Sequence, residues 1–322
     1  MLIKDYLSPY LITSFSKRLK RIVISDKIRG MLVDTHAHLY WKDYKQDLDE
    51  VIQRAKDAGV GIIINVGVDV EKSREAAQVS DKLALSGVEG YSTIGIHPHE
   101  AIKYAKNGQT LSDRTRFVQE DIDLLGKIYS DNPKKVVAVG ECGLDYYSDP
   151  EFTPPTLSVS KIKQLQRQLF QAQIDLAKKL NLPLIVHCRD DRSHNPQNSE
   201  AWDEVLKMVG NHPTILHCYS GLLQTTKRVF EKPSILISFA ATITYPKNEY
   251  LREAAKLLPL EKICLETDCP FLPPQSKRGQ RNEPANVLEI AQLIAQLKEI
   301  SLEDVANQTS ANVKQILRLH SG

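Results

Sequence analysis

Eight short runs rich in Val and Ile recur between residues 32 and 265, each separated from the next by a longer amphipathic stretch. They occupy residues 32–34, 61–66, 91–96, 136–140, 184–186, 214–216, 235–239 and 263–265. Continuous apolar character marks strands buried on both faces, as in a parallel sheet covered by helices. The intervening DLDEVIQRAKDAG, KIKQLQRQLFQAQIDLAKKLN and SEAWDEVLKMVG read as helices ending at Gly or Asn, with Pro183 and Pro213 just beyond two of them. Such alternation makes an α/β protein, either a closed TIM-type (β/α)8 barrel or a large doubly wound sheet. No glycine-rich phosphate loop follows the first run, which favours the barrel. A barrel takes about 250 residues, so the 322 residues accommodate one over 31–322. Residues 284–299 and 301–319 are expected to be two extra C-terminal helices, their apolar positions serving the core.

Residues 1–30 stand apart as a basic extension with seven Lys/Arg and two Asp, leaving the remainder at −3 of a net +2. The segment reads as a surface helix or as an upstream start ahead of Met31. Two acidic residues and no small-residue cleavage site disfavour a targeting peptide. Its KRLKR run (17–21) is a solvated basic face or a contact for an anionic partner. The slightly acidic body lacks the basic footprint of a dedicated nucleic-acid binder. Five cysteines, an odd number with no CxxC pair, argue against a disulfide framework and a thiolate zinc site, and for a reducing cytoplasmic setting. No apolar run approaches the roughly 20 residues of a membrane span, and a monomer is the default.

The acid, base and imidazole groups are not scattered. His36 and His38 follow the first run, His97 and His99 the third, Glu141 the fourth, His187 the fifth, His217 the sixth and Asp268 the eighth. In a parallel barrel all these ends open onto one face. Alternation puts both imidazoles of His36-x-His38 on one side, a pair suited to zinc or manganese, with carboxylates also admitting magnesium. A carboxylate just after a buried strand is costly without a cation or hydrogen-bond donors, so Glu141 and Asp268 point to coordination. Six candidate ligands suffice for two divalent ions. Ions about 3.5–4 Å apart clamp the attacking and leaving oxygens of a displacement and lower the pKa of a water. Asp268, with Glu141, is the candidate for the catalytic carboxylate. Arg189 is an anion clamp or a structural ion pair.

The segments VDTHAHL (33–39), GIHPHE (95–100), VGECGLDYY (139–147), LIVHCRD (184–190), ILHCYSG (215–221), LETDCPFL (265–272) and GQRNEP (279–284) together resemble the TatD-like metal-dependent deoxyribonucleases of the amidohydrolase superfamily. The resemblance covers nearly everything from Met31 on. It implies that His36, His38 and Asp268 hold one ion, His187 and His217 a second, and that Glu141 bridges them. His97 and His99 then contact phosphate or donate a proton, although His99 equally suits a cap on the following helix. Tyr146, Tyr147 and Arg281 line a substrate groove or pack loops. Expanded segments at 107–125 and 190–200, with Asp191 in place of the family's common residue, touch the loops that set specificity.

The leading expectation is a phosphodiesterase, a DNase acting on single-stranded DNA ends. The alternatives are hydrolysis of another ester or amide, such as an aminoacyl-tRNA ester, and a non-catalytic barrel scaffold.

Overall fold

The computed structural model describes residues 30–105, 111–147, 154 and 156–319. The basic extension through residue 29, including the KRLKR run, lies outside the described residues. Eight parallel strands follow one another around the sheet in chain order: β1 Leu32–Ala37, β2 Val60–Asn65, β3 Glu89–Ile94, β4 Val136–Asp145, β5 Leu184–Arg189, β6 Thr214–Leu216, β7 Ile235–Phe239 and β8 Ile263–Leu265. An isolated parallel bridge from Ala37 to Cys269 brings the first strand back to the segment after the last. The architecture is the TIM-type barrel expected from the alternation.

The helices are α1 Leu48–Asp57, α2 Val70–Leu85, α3 Leu111–Asp131, α4 Val159–Leu180, α5 Glu200–Val209, α6 Leu223–Phe230, α7 Glu249–Leu257, α8 Val287–Lys298 and α9 Leu302–Ile316. None of the described helices is long and apolar enough to cross a membrane. Strand alternation divides the apolar residues into two sets. Val33, Ile62, Ile64, Ile185, Ile215 and Leu236 cluster with Val313 and Leu317 of the last helical segment. Leu32, Ile63, Leu184, Leu216, Ile237 and Leu265 join the larger cluster with the surrounding helices. The end of the barrel where strands begin is tied to α9: Asn312 Nδ2 donates to the Leu260 and Ile263 carbonyls at 2.8 Å each, and the Ser310 hydroxyl to Met31. The opposite end is left to the residues that carry chemistry.

The strands carry further than their apolar runs. Val136–Asp145 and Leu32–Ala37 include Glu141 and His36, which the apolar pattern places beyond the strand. The pairing register shifts between Asp34 and Ala37 in β1 and between Val139 and Cys142 in β4. Such irregularities re-aim side chains, and here they bracket His36 and Glu141.

Candidate metal centre

Glycines explain how Glu141 reaches the centre of the barrel mouth. A Cβ on Gly140 would stand 2.5 Å from the Ile185 carbonyl oxygen, and one on Gly143, at φ +140°, would stand 2.0 Å from that of His187. Only glycine lets β4 lie this close to β5. Two amides of α4 pin the neighbouring backbone. Gln166 accepts from the Asp145 N–H at 2.9 Å and donates to its carbonyl at 2.8 Å, and Gln173 does the same for Ile96 at 2.7 and 2.9 Å.

His36, His38, Glu141, His187, His217 and Asp268 converge, as the barrel geometry requires. His36 Nε2 lies 3.1 Å from His38 Nε2, 3.3 Å from Glu141 Oε2 and 3.8 Å from Asp268 Oδ1. His38 Nε2 is 3.5 Å from that same Asp268 oxygen. The other Glu141 oxygen, Oε1, faces His187 Nδ1 at 3.0 Å and the Nε2 atoms of His97 and His217 at 3.5 Å each. One carboxylate thus looks into two nests of imidazoles.

The hydrogen-bond partners fix what these atoms can bind. His38 Nδ1 lies 2.9 Å from the Val66 carbonyl, which only accepts, so Nδ1 carries a hydrogen and Nε2 is the nitrogen left facing the site. Burial, with His217 beside it, lowers the pKa of His36, which favours its neutral ring. Two ring nitrogens meeting at 3.1 Å need a shared proton or a cation between them. With the carboxylates of Glu141 and Asp268 they form a mixed nitrogen and oxygen donor set that could hold a metal ion.

Charge in the second nest is settled by carboxylates. Burial disfavours an imidazolium at His187, but Asp145 and Glu141 outweigh it and push the pKa up to about 9. At His217 burial is likewise outweighed, by Glu266, Glu141 and Asp268, and the pKa rises to about 10. Burial wins at His97, whose pKa falls to about 4 despite Glu141. For Glu141 itself burial is outweighed by His97, His217 and His36, which hold it well below the usual carboxylate range. The site therefore concentrates anionic oxygen that two protonated histidines balance. A divalent cation supplies the same charge while freeing imidazole lone pairs, so the residues present fit a metal.

Asp145 and Glu266 went unrecognised in the sequence. Asp145 Oδ2 lies 3.0 Å from His99 Nε2 and 3.1 Å from His187 Nε2. Glu266 Oε1 accepts from the Cys218 N–H at 2.6 Å and stands 2.7 Å from His217 Nδ1. The signal was strand alternation: Asp145 lies two pairs on from Glu141, and Glu266 two residues before Asp268. His99 does not cap the following turn; the His97 side chain does, accepting from the His99 N–H at 3.2 Å.

The remaining groove candidates have partners of their own. Tyr146 is buried, and its hydroxyl donates to Glu204 at 2.8 Å within a cluster that includes Arg167. Arg281 grips Asp47 at 2.8 and 2.6 Å and covers the Tyr44 ring at 4.6 Å, an inter-loop tie. Arg189 sits 3.9 Å from the centroid of the half-exposed Tyr147 ring. It stacks there, the third possibility beside clamp and ion pair.

A barrel whose strand ends gather this donor set defines a metal-dependent hydrolase. The TatD related DNase family profile matches residues 33–318. A metal-dependent hydrolase of Bacillus subtilis strain 168, YabD, is 35% identical over 90% of this chain and 100% of its own length. Human deoxyribonuclease TATDN3 is 30% identical over 88% of this chain and 94% of its own. The 3'-5' ssDNA/RNA exonuclease TatD of Shigella flexneri is 30% identical over 88% and 98%. Among solved structures, the Escherichia coli TatD homologue YJJV superposes with a TM-score of 0.73 at 26% identity, covering 90% of this chain and 98% of that one. The chain belongs to the TatD-related DNase family.

Proposed function

We propose that the protein is a two-metal phosphodiesterase of the DNase type, acting on single-stranded ends. His36, His38 and Asp268 would hold one ion, His187 and His217 the other, and Glu141 would join them. The supporting observation is the division of the Glu141 carboxylate, with Oε2 directed to His36 and Oε1 to His187, His97 and His217. Bound divalent cations would neutralise phosphoryl oxygens and acidify water. The chain's own residues complete the site. Burial raises the pKa of Asp268, but His217, His38 and His36 outweigh it and keep this carboxylate ionised, ready to accept the proton of an attacking water. Asp145 holds the His99 and His187 rings in place. Arg189, stacked on Tyr147, would offer its guanidinium to phosphate. Five free cysteines accord with a reducing cytoplasmic setting, and a monomer remains the working state.

The reading is tested by supplying purified protein with magnesium, manganese or zinc and presenting end-labelled single-stranded DNA beside carboxylic-ester and amide substrates. Progressive shortening of DNA, lost in Asp268→Asn, is expected. A preference for carbon esters with intact DNA would refute it.

A further inference from the structure

Trp41 follows the metal-ligand candidate His38 by three residues, and Phe271 follows Asp268 by three. Each sits on a turn closed by its own N–H donating to that ligand's carbonyl, at 3.1 Å for Trp41 and 3.0 Å for Phe271. The turns bring the two rings together edge to face, with centroids 6.4 Å apart and planes at 88°. His38 lies 6.4 Å from the Trp41 ring and 6.0 Å from that of Phe271. Trp41 is half-buried, and Phe271 remains 47% exposed. Beside the metal-ligand candidates the exposed Phe271 ring, paired with Trp41, offers a flat ligand a face to stack on.

The two rings form one wall of a cavity of about 830 Å³ between the start of α1 and α2. That volume falls within the roughly 300–1,000 Å³ of small-ligand sites, enough for a nucleotide and part of its neighbour. Its charged lining comprises four lysines (Lys42, Lys45, Lys72 and Lys82) against Asp43 and Glu75. Lys72 is anchored by both Glu75 oxygens at 2.9 Å. This puts its ammonium 5.5 Å from the Trp41 centroid and 5.9 Å from that of Tyr40. Aromatic faces interleaved with lysines match the alternation of bases and phosphates in a single strand, whereas paired bases present no free face.

We infer that Trp41, Phe271 and Lys72 form a base-stacking subsite that seats the nucleotides next to the scissile phosphate of a single-stranded nucleic acid; this rests on the phosphodiesterase reading. It makes Trp41 a binding residue and gives the enzyme its preference for unpaired substrate.

The chain has two tryptophans, and Trp202 is fully buried, so quenching of intrinsic fluorescence reports stacking on Trp41. The metal-loaded full chain is titrated with a phosphorothioate-linked hexathymidylate, which resists hydrolysis, and with the same length of duplex. Single strands should quench the signal and duplex should not. Trp41→Ala and Phe271→Ala, followed by anisotropy of a labelled oligonucleotide, should each weaken binding about tenfold. Trp41→Phe, which keeps a ring, should restore most of the affinity. Phe230→Ala, an exposed ring on α6, should bind as wild type does. Hydrolysis of bis(p-nitrophenyl) phosphate by wild type tests the phosphodiesterase reading separately, because that diester carries no nucleobase. If it is hydrolysed while both alanine variants bind oligonucleotide as tightly as wild type, the subsite is refuted and the phosphodiesterase stands. If the diester stays intact and no oligonucleotide binds, both fall.

Discussion

Replacing Asp34 should loosen the seam where the barrel closes. Between β1 and the segment after β8 there is no full ladder, only the Ala37–Cys269 bridge and individual bonds. The Asp34 carboxylate makes two of these, both with Thr267, and a third bond within β1. It accepts from the Thr267 N–H at 2.9 Å, the Thr267 hydroxyl at 2.6 Å and the His36 N–H at 3.3 Å. All the groups involved are buried. Asp34→Ala strands the two Thr267 donors, and a buried unpaired donor costs about 1–3 kcal/mol. Relief from burying a carboxylate returns part of that, so a net loss of about 3 kcal/mol is expected. At about 2.1 cal/mol/K per residue the unfolding entropy is about 0.7 kcal/mol/K, which converts the loss to about 4–5 °C in Tm. Asp34→Asn keeps Oδ1 for both backbone donors, and its amide can donate to the Thr267 hydroxyl oxygen, so it should lose under about 1 kcal/mol. The two variants also separate by pH. Burial outweighs the Thr267 hydrogen bonds and pushes the Asp34 pKa up from 3.8 to about 7. The folded state therefore holds this proton more tightly than the unfolded chain. The resulting stabilisation is complete below the unfolded value and is lost as pH rises through about 7. Asp34→Asn should accordingly gain on wild type between pH 5 and pH 8. Calorimetric melts across that range are the assay. An Asp34→Ala melt indistinguishable from wild type, or Asn as damaging as Ala, would refute the seam argument.

Tyr146→Phe removes one hydroxyl donor to Glu204 and should cost about 1 kcal/mol in chemical denaturation while leaving DNA hydrolysis at the wild-type rate; a selective loss of activity would return Tyr146 to the substrate groove. Arg167 hydrogen bonds hold the Glu204 carboxyl below its usual range, so their stabilisation is present above the unfolded pKa and lost as pH falls through the folded one. Glu204→Gln should flatten that acid-side loss in melts from pH 6 down to pH 3, and an unchanged profile counts against the pairing. Arg281→Ala should lower stability by about 1 kcal/mol, because the pair with Asp47 is partly exposed, with oligonucleotide affinity preserved. A drop in affinity without a drop in Tm would make Arg281 a substrate contact.

The strands were legible because two-sided burial writes them as continuous apolar runs. Their ends were not, because the polar groups that do chemistry interrupt the pattern before the strand stops, as His36 does in β1 and Glu141 through Asp145 in β4. The histidines and carboxylates at those ends were visible for the same reason: a polar residue that breaks a buried run needs a partner there. Asp145 and Glu266 were hidden by position, each two or more residues from a group that had already absorbed the argument. Tyr146 and Arg281 sit inside recognisable motifs, and only the fold shows that their partners are Glu204 and Asp47. Trp41 and Phe271 carry no local signal. Their pairing exists only because two turns, far apart in the chain, close onto neighbouring metal-ligand candidates.

The most direct test of the central claim is metal content by inductively coupled plasma mass spectrometry on wild type and Glu141→Gln, with activity assayed on the same samples. A carboxylate shared between two nests predicts about two ions per wild-type chain. The amide variant should hold fewer ions and lose hydrolysis, with the fold intact by circular dichroism. Wild type purified and dialysed against zinc or manganese that retains no ion, or Glu141→Gln that keeps its full complement, would contradict the account.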